Sequence, residues 1–136
     1  MYLLDTNIVS ALRRPEKAPQ TLRVWAAEIA AADMYLSVIT LYEIELGIRQ
    51  IGRRDQPQAT ILQNWFERNV RLNFRTRILP VTEEIAMRSA ALHVPDPKPE
   101  RDAFIAATAF VHGLTIVTRN VRDFHGMGST LLNPWP

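Results

Sequence analysis

Five short apolar runs recur along the chain, each with the length and composition of a strand: YLL at 2–4, YLSV at 35–38, RILPV at 77–81, LTIVT at 114–118 and TLLN at 130–133. Helical patterns fill most of the intervals, at 20–32, 40–52, 57–74, 82–93 and 100–112. A strand joined through a helix to a second strand needs a crossover connection. The alternation therefore predicts an α/β fold with a mainly parallel sheet and helices on both faces. Proline-bearing stretches at 13–19 and 94–100 read as loops too short to separate domains, and 136 residues is the size of one ordinary domain, spanning 1–136.

The hydrophobic fraction of 47% suits a globular core. Cysteine is absent, which removes disulfides, thiol catalysis and thiolate zinc sites, and is compatible with a reducing cytoplasm. The longest uncharged apolar stretch, 104–111, is far short of the ~20 residues of a membrane span, and the first residues lack a signal-peptide pattern. A cytoplasmic protein without a membrane segment is the expectation. Fourteen of the sixteen basic residues are arginine, the better planar ligand for phosphate, which hints at nucleic acid.

An ionisable Asp5 directly follows the apolar run YLL, where a strand passes into the core. Asp is depleted in strands and is almost never fully buried without a partner. One explanation is local: DTN supplies three side chains able to cap a helix over IVSAL. Another is chemical, because ligands of open α/β sheets bind beyond the carboxyl ends of the strands, where Asp5 stands in the first and Thr118, Asn120 and Asp123 in the fourth.

Two further acids have ordinary readings of their own. Glu43 lies on a helix whose Leu41, Ile44, Ile48 and Ile51 trace a buried stripe. Its neighbour Glu45 has Arg49 four residues on as an ion-pair partner, whereas Glu43 has no such partner, and Gly47 leaves open space above it. Asp102 falls in the first turn of the helix after Pro99, favoured there by the helix dipole. Ala103, Ala106, Ala107 and Ala109 are small enough to bring that helix close to the sheet, and Gly113 after His112 is a helix stop. Two carboxylates ~4 Å apart repel by about 4 kcal/mol at an effective dielectric near 20, so converging acids need a cation or raised pKa values. Oxygen ligands without Cys or His select Mg²⁺ or Mn²⁺.

The segments LLDTN, SVITLYEIELG, DAFIAATAFVHGLTIVTRN and NPW, in this order, resemble the PIN-domain ribonucleases of toxin–antitoxin pairs, the VapC toxins and FitB-like proteins. The resemblance implies a PIN-like three-layer sandwich, an acidic Mg²⁺/Mn²⁺ site and hydrolysis of RNA phosphodiesters to 5′-phosphate and 3′-hydroxyl products. It places the catalytic and metal-binding acids at Asp5, Glu43 and Asp102. A fourth acid of the family falls at Asn120, a departure for which Asp123 is a candidate substitute. Thr6, Asn7 and Thr118 are candidates for orienting the carboxylates. The implied partners are a cognate VapB-like antitoxin, RNA, and a second toxin copy within a hetero-oligomer.

For RNA itself, Arg68, Arg71 and Arg75 follow helical spacing on WFERNVRLNFR and are candidate phosphate contacts, with Arg49, Arg53 and Arg54 clustered nearby. Trp65 and Phe66 read as core, and Trp25 and Trp135 as packing or interface residues. A phosphotransferase of the haloacid dehalogenase type would want a second Asp where Asn7 stands. A rival of another class keeps the fold to bind antitoxin and DNA, or a metal, with turnover disabled at Asn120.

Overall fold

The computed structural model describes residues 1–136. Five strands form one sheet: β1 (Tyr2–Leu4), β2 (Met34–Ser37), β3 (Ile78–Leu79), β4 (Thr115–Val117) and β5 (Leu131–Leu132). Their order is β3-β2-β1-β4-β5, and every pairing is parallel. Central β1 sets Leu3 opposite Tyr35 on one side and Ile116 on the other, while Leu4 pairs with Val117. The edge strands are shorter than the apolar runs that announce them. Pro80 follows β3 and brings no N–H to a ladder.

The six helices are α1 (Thr6–Leu12), α2 (Gln20–Glu28), α3 (Val38–Gly52), α4 (Gln56–Trp65), α5 (Glu83–Leu92) and α6 (Glu100–His112). Successive strand residues point to opposite faces, and this divides the core in two. Leu4, Leu36 and Val117 pack with Ile8, Leu22, Ile44, Ile48, Phe66 and Val70. Leu3 and Ile116 pack on the other face with Ile105, Ala106, Ala109, Phe124 and Met127. A parallel sheet covered on both faces explains why its strands read as uninterrupted apolar runs. This is the three-layer α/β architecture expected.

Two stretches differ from their expected form. The helix expected over 57–74 leaves α-geometry after Trp65 and continues over Phe66–Arg71 as a π-helix, in which the Leu72 N–H reaches the Glu67 carbonyl at 3.2 Å. The helix expected over 20–32 stops at Glu28, because Ile29 is extended. At the end of α6 the helix stop is as expected, with Gly113 in the left-handed region at φ 66°.

Candidate active site

The chain runs from β1 outward through β2 to β3, then returns to the opposite side of β1 with β4. The carboxyl ends of β1 and β4 flank this reversal, where open α/β sheets leave a crevice. Asp5 stands at the first end and Thr118 at the second.

Asp5 is buried, and the local explanation offered for it holds. Its Oδ1 accepts the Thr6 backbone N–H at 2.8 Å, capping α1. Its Oδ2 accepts the Thr118 hydroxyl at 2.8 Å and the Asn7 amide at 3.1 Å. Asn7 closes the strand ends further, since its Oδ1 accepts the Arg119 N–H at 3.1 Å. Burial raises the Asp5 pKa, opposed by the hydrogen bonds from Thr118, Thr6 and Asn7, while the Glu43 charge adds to the rise.

Glu43 lies in the second turn of α3, whose start is fixed by the Ser37 hydroxyl accepting from the Ile39 N–H at 3.0 Å. The partner that the helix itself withholds comes from a distant segment: the Thr6 hydroxyl donates to Glu43 Oε1 at 2.6 Å. Its other oxygen, Oε2, lies 3.7 Å from the Arg101 guanidinium. Glu45, one turn-face away, is paired with Arg49 at 3.0 Å as expected. Nothing lies within 4 Å of where a Cβ on Gly47 would project.

Asp102 occupies the first turn of α6, with Pro99 as the residue before the helix and not its first turn. Ala103, Ala106, Ala107 and Ala109 are fully buried, so the backbone of α6 lies close against its neighbours. The Asp102 pKa is raised to about 7, first by burial and then by the charges of Asp5, Asp123 and Glu43, with Arg101 opposing. That pattern records acids gathered with only Arg101 to offset them.

Asp5, Thr6, Asn7, Glu43, Asp102, Asn120 and Asp123 line one cleft of about 360 Å³ with no hydrophobic residue in its wall. The Asn120 N–H donates to the Thr118 hydroxyl oxygen at 2.9 Å, and Asp123 follows on a 3-10 turn anchored by buried Phe124. No group of three acidic or histidine side chains is arranged to hold a metal ion as the side chains stand.

The arginines at 68, 71 and 75 are exposed and do not line this cleft; Arg71 is held by Glu67 through contacts of 2.9 and 3.0 Å. Phe66 is buried and Trp65 half-buried, as expected of core residues. Trp25 meets the Tyr2 ring edge-on at 5.2 Å, and Trp135 lies beneath the Arg119 guanidinium at 5.4 Å. Sequence reasoning passed over Tyr42 and Arg101, which line a groove adjoining the cleft. Their position immediately before Glu43 and Asp102 was the available signal. No helix is long and apolar enough to cross a membrane.

Comparison with known proteins identifies the family. The sequence profile of the PIN domain matches residues 2–128. Toxin FitB of Neisseria gonorrhoeae is 33% identical over 140 residues, covering 99% of both chains. VapC ribonuclease Y4jK of Sinorhizobium fredii is 34% identical over 143 residues, covering 99% of this chain and 98% of its own. The solved structure of FitAB bound to the IR36 DNA fragment superposes with a TM-score of 0.88 at 30% identity, covering 100% of this chain and 96% of that one. A profile match across nearly the whole length, with full-length relatives above 30% identity, means that this chain belongs to the PIN-domain family, among its VapC and FitB members.

Proposed function

We propose that the chain is a Mg²⁺- or Mn²⁺-dependent endoribonuclease toxin, held in check by a cognate VapB-like antitoxin. The observation that carries this reading is the cleft in which Asp5, Glu43, Asp102 and Asp123 face one space, with the Asp102 pKa pushed to about 7 first by burial and then by the charges of the others. Such a cluster stores repulsion that a cation relieves.

The donor set fits a hard divalent ion. Its lining offers carboxylate, hydroxyl and amide oxygens, with neither Cys nor His. Asp5 and Asp102 would be the direct ligands, with Glu43 joining them directly or through a water and Asp123 at the margin. A bound ion supplies an acidified water and neutralises charge gathering on the phosphate. The chain's own residues do the positioning. Thr118 and Asn7 fix the Asp5 carboxylate from two directions, Thr6 fixes Glu43, and the close seat of α6 fixes Asp102. Carboxylates held this way do not need to reorganise when the substrate arrives.

The names of relatives support RNA as substrate: VapC ribonuclease Y4jK, and Ribonuclease VapC14 of Mycobacterium tuberculosis at 42% identity over 69 residues. The FitAB complex supports an antitoxin partner in a toxin–antitoxin hetero-oligomer. A second reading, a PIN-fold module acting through antitoxin and DNA with little turnover, draws on Asn120 standing where an acid is expected. One experiment decides: the purified chain is incubated with RNA and Mg²⁺ or Mn²⁺, with EDTA and Asp5→Asn as controls. Metal-dependent cleavage lost in the variant supports the nuclease. Tight antitoxin binding with no cleavage supports the module.

A further inference from the structure

Adjoining the acidic cleft, and sharing Glu43 and Asp102 with it, lies a groove of about 640 Å³. That volume is within the roughly 300–1,000 Å³ usual for small-molecule sites. Two of its lining side chains, Tyr42 and Arg101, are placed unusually. Tyr42 directly precedes Glu43 on α3, yet 56% of this large aromatic residue is exposed. Arg101 directly precedes Asp102 on α6 and rests over the Tyr42 ring, its guanidinium carbon 5.6 Å from the ring centroid.

Arg101 is a loosely held cation beside the acids. Its one ion pair is the 3.7 Å approach to Glu43, longer than a hydrogen bond, and Glu43 is already fixed through its other oxygen by Thr6. Three arginines away from the cleft are tied more tightly: Arg49 with Glu45 at 3.0 Å, Arg71 with Glu67 at 2.9 Å, and Arg77 with the Met34 and Asn73 carbonyls. A guanidinium fork of five donors is thus free to turn, half-exposed, at the mouth of a cleft that repels phosphate.

Resting on the nuclease reading, we infer that this groove is a nucleotide subsite, in which Tyr42 stacks the base beside the cut phosphodiester and Arg101 exchanges Glu43 for a phosphate oxygen. Every base has a π-face, so such a platform tolerates sequence and favours unpaired nucleotides. Glu43, Glu100 and Asp102 share the wall with Arg101, so a basic peptide is the competing occupant, which the antitoxin arm of the test separates, whereas an apolar one would leave the guanidinium without an anion. A flat base next to a phosphate matches both residues.

The test is binding of a labelled single-stranded RNA oligonucleotide in EDTA, followed by fluorescence anisotropy over a range of salt. Arg101→Gln should weaken binding several-fold and flatten the slope of log affinity against log salt by about 0.7, the increment for one phosphate of a single strand. Tyr42→Ala should weaken it about tenfold at every salt concentration, and Tyr42→Trp should restore it. Unchanged affinity and slope in both variants would overturn the subsite. So would an unaltered KM in Tyr42→Ala while the chain cleaves normally, which leaves the nuclease standing. Weakened RNA binding in both variants of a chain that cuts nothing would support the subsite and overturn the nuclease. Should the variants release the co-expressed antitoxin while RNA affinity holds, the groove takes protein and the inference fails.

Discussion

The hydroxyl of Thr118 donates a 2.8 Å hydrogen bond to Asp5 Oδ2, joining the ends of β4 and β1 across 113 residues of sequence. Thr118 is fully buried and also receives the Asn120 N–H, so one oxygen organises both sides of the cleft.

Thr118→Val keeps the shape and removes these bonds. A lost hydrogen bond to a charged partner costs about 1.5–3 kcal/mol, so thermal unfolding should move down by several degrees. Divalent-metal affinity should fall roughly 10–100-fold, as it does when groups supporting a ligand are lost. Thr118→Ser should recover most of both. Calorimetry and metal titration read the two effects separately, and a Val variant with wild-type metal affinity would remove Thr118 from the site.

Asp102 predicts an unusual pH dependence for the metal-free chain. Folded, it holds its proton until about pH 7; unfolded, it releases it near 3.8. Between those values the native state binds more protons, so stability falls as pH rises through that window. Because Asp102 is only partly buried, solvent screening reduces the effect to roughly 1–2 kcal/mol, well below what three pH units would give. Asp102→Asn in EDTA should therefore be the more stable protein at pH 8, with a flatter profile from pH 4 to 7, while losing activity. Identical melting profiles for the two proteins would refute the assignment.

Protons and metal compete for the same carboxylates. Metal affinity of the wild-type chain should climb with pH up to about 7 and level off above it, measurable by isothermal titration with Mn²⁺.

Asn120→Asp adds a fifth carboxylate to the cleft. In EDTA it should destabilise the chain, and with metal it should reduce the Mn²⁺ concentration needed for half-maximal cleavage. An unchanged Mn²⁺ requirement would place residue 120 outside the reach of the ion.

Ala106 is fully buried on α6 among Leu3, Ile105 and Ile116. Ala106→Leu should cost about 1–3 kcal/mol by overpacking, and by lifting α6 should lower kcat through displacement of Asp102. Ala91→Leu, exposed on α5, should change stability by no more than about 0.5 kcal/mol.

The strands were legible because both faces of the sheet are covered, which leaves YLL and TIV as unbroken apolar runs. The alanines of α6 announced a close approach that the packing bears out. Helix α1 was visible only as a cap, since seven residues are too few to show periodicity. The π-turn after Trp65 carries no Gly or Pro to mark it. Glu43 resembled a surface residue because its partner, Thr6, lies 37 positions away and is supplied only by folding. Arg101 was hidden by its neighbour: a cation in a first turn is opposed by the helix dipole and looks like an ordinary solvated charge until the Tyr42 ring is placed beneath it.

The position of β4 beside β1 also bears on biosynthesis. The cleft joins residues made far apart in time, because Thr118 follows Asp5 by 113 positions and β4 must pair with β1 before Asp5 gains its second support. A nascent chain stalled at residue 100 has its leading aspartate and no enclosure around it. Assembly of the acidic centre is thus deferred until the segment carrying Asp102 and Thr118 has been made, and nothing synthesised before it holds the centre by itself.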